Sequence, residues 1–178
     1  MTNGLGTASQ QLSDAGSYFE YVLKPNKEAF FGAPSNFAST VNLASSLFHF
    51  HEWMYKSFKS RLEAEFNTIF PTAGTFWGVV EGTDPRFGYI RDVANASKHV
   101  KIGEHGRPRP STGAHHMANT HIVVLGYGQG GYGTGPYGGG LQVVVEDSGR
   151  LVSFDDCAQA LFDYWDQLLR KLAGAQTP

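Results

Sequence analysis

The sequence has a single cysteine, Cys157, so no disulfide can form within the chain. That fits a reducing, cytoplasmic setting. No apolar run approaches the ~20 residues a membrane span needs. The first residues, Met1-Thr2-Asn3-Gly4-Leu5, lack the basic start and apolar core of a signal peptide. Charged residues make up 17% and the net charge is −2, so no global field draws the chain to nucleic acid or membrane. A charged partner must be met by a local patch. No H-E-x-x-H pattern is present, which removes the commonest helical zinc signature.

What the chain does have is apolar periodicity. At 178 residues, with 41% apolar and 13% aromatic residues, it has the material for one domain with a real core. Ser13-Asp14 caps a first helix with Tyr18, Phe19, Val22 and Leu23 on its oily side. Pro25 is expected to interrupt that helix, with a restart at Asn26 and a stop at Gly32-Ala33-Pro34. Ser35 or Asn36 then caps the longest helix, to about Glu65. Its stripe of Leu43, Leu47, Phe50, Met54 and Phe58 has helical period. A neighbouring stripe of Asn42, Ser46, His49, Trp53 and Lys56 is polar, and Trp53 suggests that it faces protein.

The stretch around Phe76-Trp77 reads as a short helix. Asp84-Pro85 starts the next one, which runs to about Ile102. His121–Leu125, Leu141–Val145 and Arg150–Phe154 read as strands, the last two joined by an Asp147-Ser148-Gly149 turn. Gly126 to Gly140 holds nine glycines and three tyrosines in fifteen residues. It reads as a loop that folds back on the bundle. A final helix buries Ala158, Leu161, Phe162, Trp165, Leu168, Leu169 and Leu172. The expected fold is mainly α: a bundle of four or five helices with a small antiparallel β-hairpin element inserted before the C-terminal helix. The expected limits are a flexible terminus over 1–12, one domain over 13–173 with the β insertion at about 117–154, and a frayed end over 174–178.

The chemistry concentrates in Arg91-Asp92-Val93-Ala94-Asn95-Ala96-Ser97-Lys98-His99. On a helix, Lys98, Arg91, Asn95, His99 and Asp92 fall in that order within roughly 120° of arc. Ile90, Val93, Val100, Ala96 and Tyr89 take the other side. His99, Arg91, Asn95 and Asp92 form a candidate catalytic set, with His99 as acid or base and Arg91 or Lys98 steadying a phosphate. The same face equally suits a hydrogen-bond network between helices. From Lys98 to Pro110 the chain carries Lys98, Lys101, Arg107 and Arg109 against Glu104 alone, a local net of +3. Those four cations are the candidate phosphate binders.

His49, Glu52 and Trp53 are read as supporting residues facing this helix. His49 and Glu52, one turn apart, could share a metal with His99, or His49 could serve as an interhelical hydrogen-bonder. His49 and His51 point about 160° apart and cannot share an ion. The reading therefore takes neither a metal nor a cofactor.

The segment resembles a bacterial family of this length whose helix reads R-D-x-A-N-x-x-K-H. An earlier aromatic-rich segment of that family matches His49-Phe50-His51-Glu52-Trp53 here. More distantly it is similar to HEPN domains, helical bundles that pair an Arg and a His on one helix to cleave RNA. That pattern has four to six residues between the pair; here seven separate Arg91 from His99. The resemblance implies RNA or nucleotide phosphates as partners, a metal-independent ribonuclease-like activity, and pairing of two copies. The alternative is a non-catalytic binding or dimerisation module.

Overall fold

The computed structural model describes residues 11–33, 36–99, 110–114, 116–125 and 140–174. The first helical stretch comprises α1 (Ala15–Tyr18), a π-helical turn (Phe19–Leu23) and α2 (Lys24–Gly32), which follow one another without a break. Asp14 caps it: its carboxylate accepts from the Ser17 amide at 2.8 Å, and the Ser17 hydroxyl accepts from the Asp14 amide at 3.1 Å. Pro25 does not interrupt the helix, contrary to the sequence expectation. The Lys24 amide bonds to the Phe19 carbonyl, five residues back, and Pro25 occupies the first turn of α2. The wider π turn absorbs the donor that proline lacks and the bulk of its ring.

Helix α3 (Phe37–Phe66) is capped by Asn36, whose side chain accepts from the Ala38 amide at 2.9 Å. Leu43, Leu47, Phe50 and Met54 are fully buried, as their spacing requires. Phe58 is only half-buried and marks a kink, with φ −134° and ψ 21°. Asn67, in the left-handed region at φ 47°, ends the helix. Helix α4 (Ala73–Thr83) has a capping box of Thr72 with Thr75. Helix α5 (Arg86–His99) starts where Asp84 accepts from the Arg86 amide at 2.9 Å. Helix α6 (Phe154–Gly174) starts where the Ser153 hydroxyl accepts from the Asp156 amide at 3.2 Å.

Three strands, β1 (Thr120–Leu125), β2 (Gly140–Asp147) and β3 (Arg150–Ser153), form one antiparallel sheet in the order β1-β2-β3. Ser148 and Gly149 both have positive φ, 53° and 84°. Such a two-residue turn matches the twist of the strands it joins. Val143 and Val145 enter the core and tie the sheet to the bundle.

Trp165 of α6 sits at the centre of that core. It is fully buried, its indole N–H donates to the Leu47 carbonyl of α3 at 3.0 Å, and Phe50, Phe76, Trp77 and Tyr164 pack around it. Burying a ring of that size contributes roughly 4–6 kcal/mol before entropy is counted. The observed fold is thus a mainly helical bundle with a small antiparallel sheet before the last helix. Among the described residues no helix is long and apolar enough to cross a membrane.

Candidate functional site

Helix α5 is amphipathic as its sequence demands. Ile90, Val93 and Ala96 are buried and Tyr89 is half-buried, while Lys98 and His99 are exposed in the last turn. The polar arc does not behave as a unit. Asp92, the member of the arc nearest the oily side, is 0% exposed. Arg91 and Asn95 are half-buried.

Asp92 is occupied by the segment that leads into the sheet. Its two oxygens accept from the Ser111 amide at 3.0 and 2.9 Å. One of them also accepts from the Thr112 amide at 2.7 Å and the Thr112 hydroxyl at 2.8 Å. That hydroxyl in turn accepts from the Ala114 amide at 3.1 Å. Burial pushes the Asp92 carboxyl above the ordinary range, while the donors from Ser111 and Thr112 pull it back.

Arg91 reaches the same segment. Its guanidinium donates to Glu81 of α4 at 3.0 Å and to the Ser111 hydroxyl at 2.5 Å. Glu81 also accepts from the Trp77 indole N–H at 2.5 Å. On the far side, Gly113 lies so close to the β2–β3 turn that an added Cβ would sit 2.0 Å from Asp147 Oδ1. Asp147 accepts from the Tyr89 hydroxyl at 2.8 Å. One network therefore runs from α4 through α5 and residues 111–114 to the hairpin.

The residues expected to support α5 from α3 lie elsewhere. Trp53 stacks on Tyr18, with ring centroids 4.9 Å apart, so its protein contact is to α1. His49 and Glu52 approach each other at 3.6 Å with half of each side chain exposed. Asn42 and Lys56 are exposed as well. The buried histidine of α3 is His51, not His49: its ring meets the Phe48 carbonyl and lies against Trp77. Burial lowers its pKa below the usual imidazole value.

His116 caps a short turn, Met117–Asn119, and His121 lies 3.3 Å from Glu146. Among the described residues no three His, Cys, Asp or Glu side chains stand close enough to hold a metal ion. Lys101, Arg107 and Arg109 fall outside the described residues, as do His105, His115 and most of the Gly/Tyr-rich stretch.

Sequence reasoning missed Ser111, Thr112, Glu81 and Gly113. One signal was available: Gly88, inside a helical pattern, marks a close approach. A Cβ there would come within 3.1 Å of the Ser111 Cβ and 3.2 Å of the Thr112 Cγ2.

An open groove of about 1150 Å³ lies between the first turn of α5, the β2–β3 hairpin and α6, with Arg86, Arg150, Asp156 and Tyr164 on its walls. None of the described residues singled out from the sequence as a candidate site lines it. Cys157 is fully buried beside it, and burial pushes its thiol up to about 12, far from a reactive thiolate.

Fold and site together define a mainly helical chain whose most polar helix is wired into its own tertiary structure. Compared with protein-family models, curated proteins and solved structures, the chain matches none.

Proposed function

We propose that the chain is a non-catalytic binding module that meets the phosphates of RNA or nucleotides through the cationic segment from Lys98 to Arg109. The Arg91–Asp92 face of α5 is the structural network at the base of that segment. The burial of Asp92, with its carboxylate spent on Ser111 and Thr112, carries this reading. A catalytic set needs groups free to face a substrate, and Asp92 is committed to the protein. Arg91 is half-buried and tied to Glu81 and Ser111. His99 lies eight residues along the helix from it, an axial rise of about 12 Å. At the helix end Lys98 and His99 are exposed, and the sequence that follows carries Lys101, Arg107 and Arg109. The rest of the chain is net acidic, so charge is segregated onto this one stretch.

The test is titration of a fluorescein-labelled single-stranded RNA with the full chain. Four phosphate contacts give a salt slope near −3, so affinity should fall about 50-fold between 50 and 200 mM salt. Replacing Lys98, Lys101, Arg107 and Arg109 together by alanine should abolish binding without lowering the melting temperature. Absence of wild-type binding at 50 mM salt overturns the reading. Cleavage of the RNA that disappears in both His99→Ala and Arg91→Ala replaces it with the HEPN-like ribonuclease reading.

A further inference from the structure

We infer that the groove beside the β2–β3 hairpin binds an extended, basic peptide, which adds to β3 as a fourth strand. This site is separate from the phosphate reading and stands without it. All four residues of β3, Arg150 to Ser153, line the groove, and the first turn of α5 and one side of α6 complete its walls. β3 is an outer strand of the sheet, paired to β2 alone. The other outer strand, β1, contributes no residue to this cavity. A groove that runs along a strand edge offers main-chain donors and acceptors at the strand repeat of about 3.3 Å per residue. Another extended main chain matches that repeat, with pockets beside the edge reading its side chains.

The turn decides which main-chain groups are on offer. Ser148 and Gly149 make a two-residue connection, so the flanking partners Asp147 and Arg150 aim both main-chain groups at each other. Antiparallel pairing alternates, so Leu151, opposite Glu146, aims its N–H and C=O away from β2. Among the described residues neither group has a hydrogen-bond partner. The Leu151 side chain is 52% exposed, so nothing described covers this edge.

Charge selects the occupant. Asp156 and Asp163 stand two turns apart on the α6 wall, and neither forms an ion pair among the described residues. Asp84 and Arg86 satisfy each other at 2.5 Å, which leaves Arg150 alone against those two carboxylates. Phe87 and Tyr164, packed edge to face with ring centroids 5.4 Å apart, supply apolar wall. The fitting partner is a strand-forming segment of another protein that mixes basic with apolar side chains. Its cations meet Asp156 and Asp163, and its apolar groups lie against the two rings.

The probe is a library of acetylated octapeptides built from valine, isoleucine, tyrosine, lysine and arginine, screened by fluorescence anisotropy against the full chain. The tightest binder is remade with alternate amides N-methylated, in both registers. One register blocks the bonds to β3 and should weaken binding about 30-fold. On the protein, Leu151→Pro removes the outward N–H and spares the β2 ladder, as edge positions allow. It should also weaken binding about 30-fold, whereas Leu151→Ala keeps the N–H and should lose less than about threefold. Asp156→Asn combined with Asp163→Asn should weaken binding about tenfold at low salt and little at high salt. The inference is overturned if no library member binds more tightly than about 1 mM, or if both N-methylated peptides bind as well as their parent. Equal binding by folded Leu151→Pro and Leu151→Ala overturns it too; where the proline variant does not fold, the N-methylated peptides decide. Binding indifferent to salt and to both aspartates removes the basic peptide. Self-association in sedimentation velocity that Leu151→Pro abolishes puts a second copy of the chain in its place.

Discussion

Within two polar stripes that look alike in the sequence, one on α3 and one on α5, the ionisable side chains around Glu52 and around Asp92 meet opposite fates. On α3, Asn42, His49, Glu52 and Lys56 lie open to solvent, and the His49–Glu52 contact at 3.6 Å is half-exposed on both sides. On α5, Asp92 is fully buried and Arg91 is clasped between Glu81 and Ser111. Composition does not separate the two. What separates them is whether another part of the chain comes to rest on those side chains. Residues 111–114 return to α5, and Gly88 leaves the space for them. Exposed pairs are worth ~0–1 kcal/mol. A buried carboxylate holding several donors is worth far more to keep than to lose, since its removal leaves those donors unpaired.

The largest expected effect tests that contrast directly. Asp92→Ala should cost about 3–4 kcal/mol, because the Ser111 and Thr112 amides lose a charged acceptor inside the protein. For a chain of this length that lowers the melting temperature by roughly 10 °C. Glu52→Ala should move it by less than about 2 °C. Equal shifts in the two variants would break the comparison.

Glycines sharpen it next. Gly113→Ala puts a methyl 2.0 Å from Asp147 Oδ1, and that carboxylate is itself bonded to Tyr89. The turn must move, at a cost of about 1–3 kcal/mol. Gly78, exposed on α4 with nothing within 4 Å of an added Cβ, should instead gain about 0.5–1 kcal/mol on replacement by alanine. Paired thermal melts give both numbers. A destabilised Gly78→Ala would mean that helix propensity does not limit α4.

Most of the architecture was legible because it follows from local chemistry. The spacing of Leu43, Leu47, Phe50 and Met54, the caps at Asp14 and Asn36, and the turn at Ser148-Gly149 all act within a few residues. Pro25 was misread because the π turn that accommodates it has no sequence signature of its own. The site was half legible. The arc on α5 could be drawn from the sequence, and Asp92 falls at its edge beside Ala96, where burial is natural. Its partners could not be found, because Ser111 and Thr112 lie about twenty residues away across a stretch with no periodicity. The same blindness made His49 and Glu52 the expected companions of α5, when Tyr18 had already taken the protein side of Trp53.

A pH-dependent effect concerns a second acid raised by burial, and it asks whether donors decide what a buried carboxylate does. Asp155, in the first turn of α6, is pushed from 3.8 up to about 6, first by burial and then by the neighbouring Asp156 charge. Its Oδ1 is buried without a hydrogen-bond partner among the described residues. Backbone donors at Val143 and at Asp155 itself pull it back in part, whereas Asp92, raised too, is held by the Ser111 and Thr112 amides and the Thr112 hydroxyl. A carboxyl whose folded value exceeds its unfolded one makes the fold bind protons more tightly. Its contribution is complete below about pH 3.8 and is lost as the pH rises through 6. Solvent screening at this partly exposed site limits the effect to about 1 kcal/mol. Asp155→Asn should therefore raise the melting temperature by about 2–4 °C above pH 7 and leave it unchanged near pH 4. Asp92→Asn, which opens a satisfied cluster, should lower it at both. The difference between wild type and each variant, followed from pH 4 to 8, isolates each group from the other carboxylates. If Asp155→Asn destabilises the protein at pH 7.5, its carboxylate is supported as Asp92 is, and the two acids belong in one class.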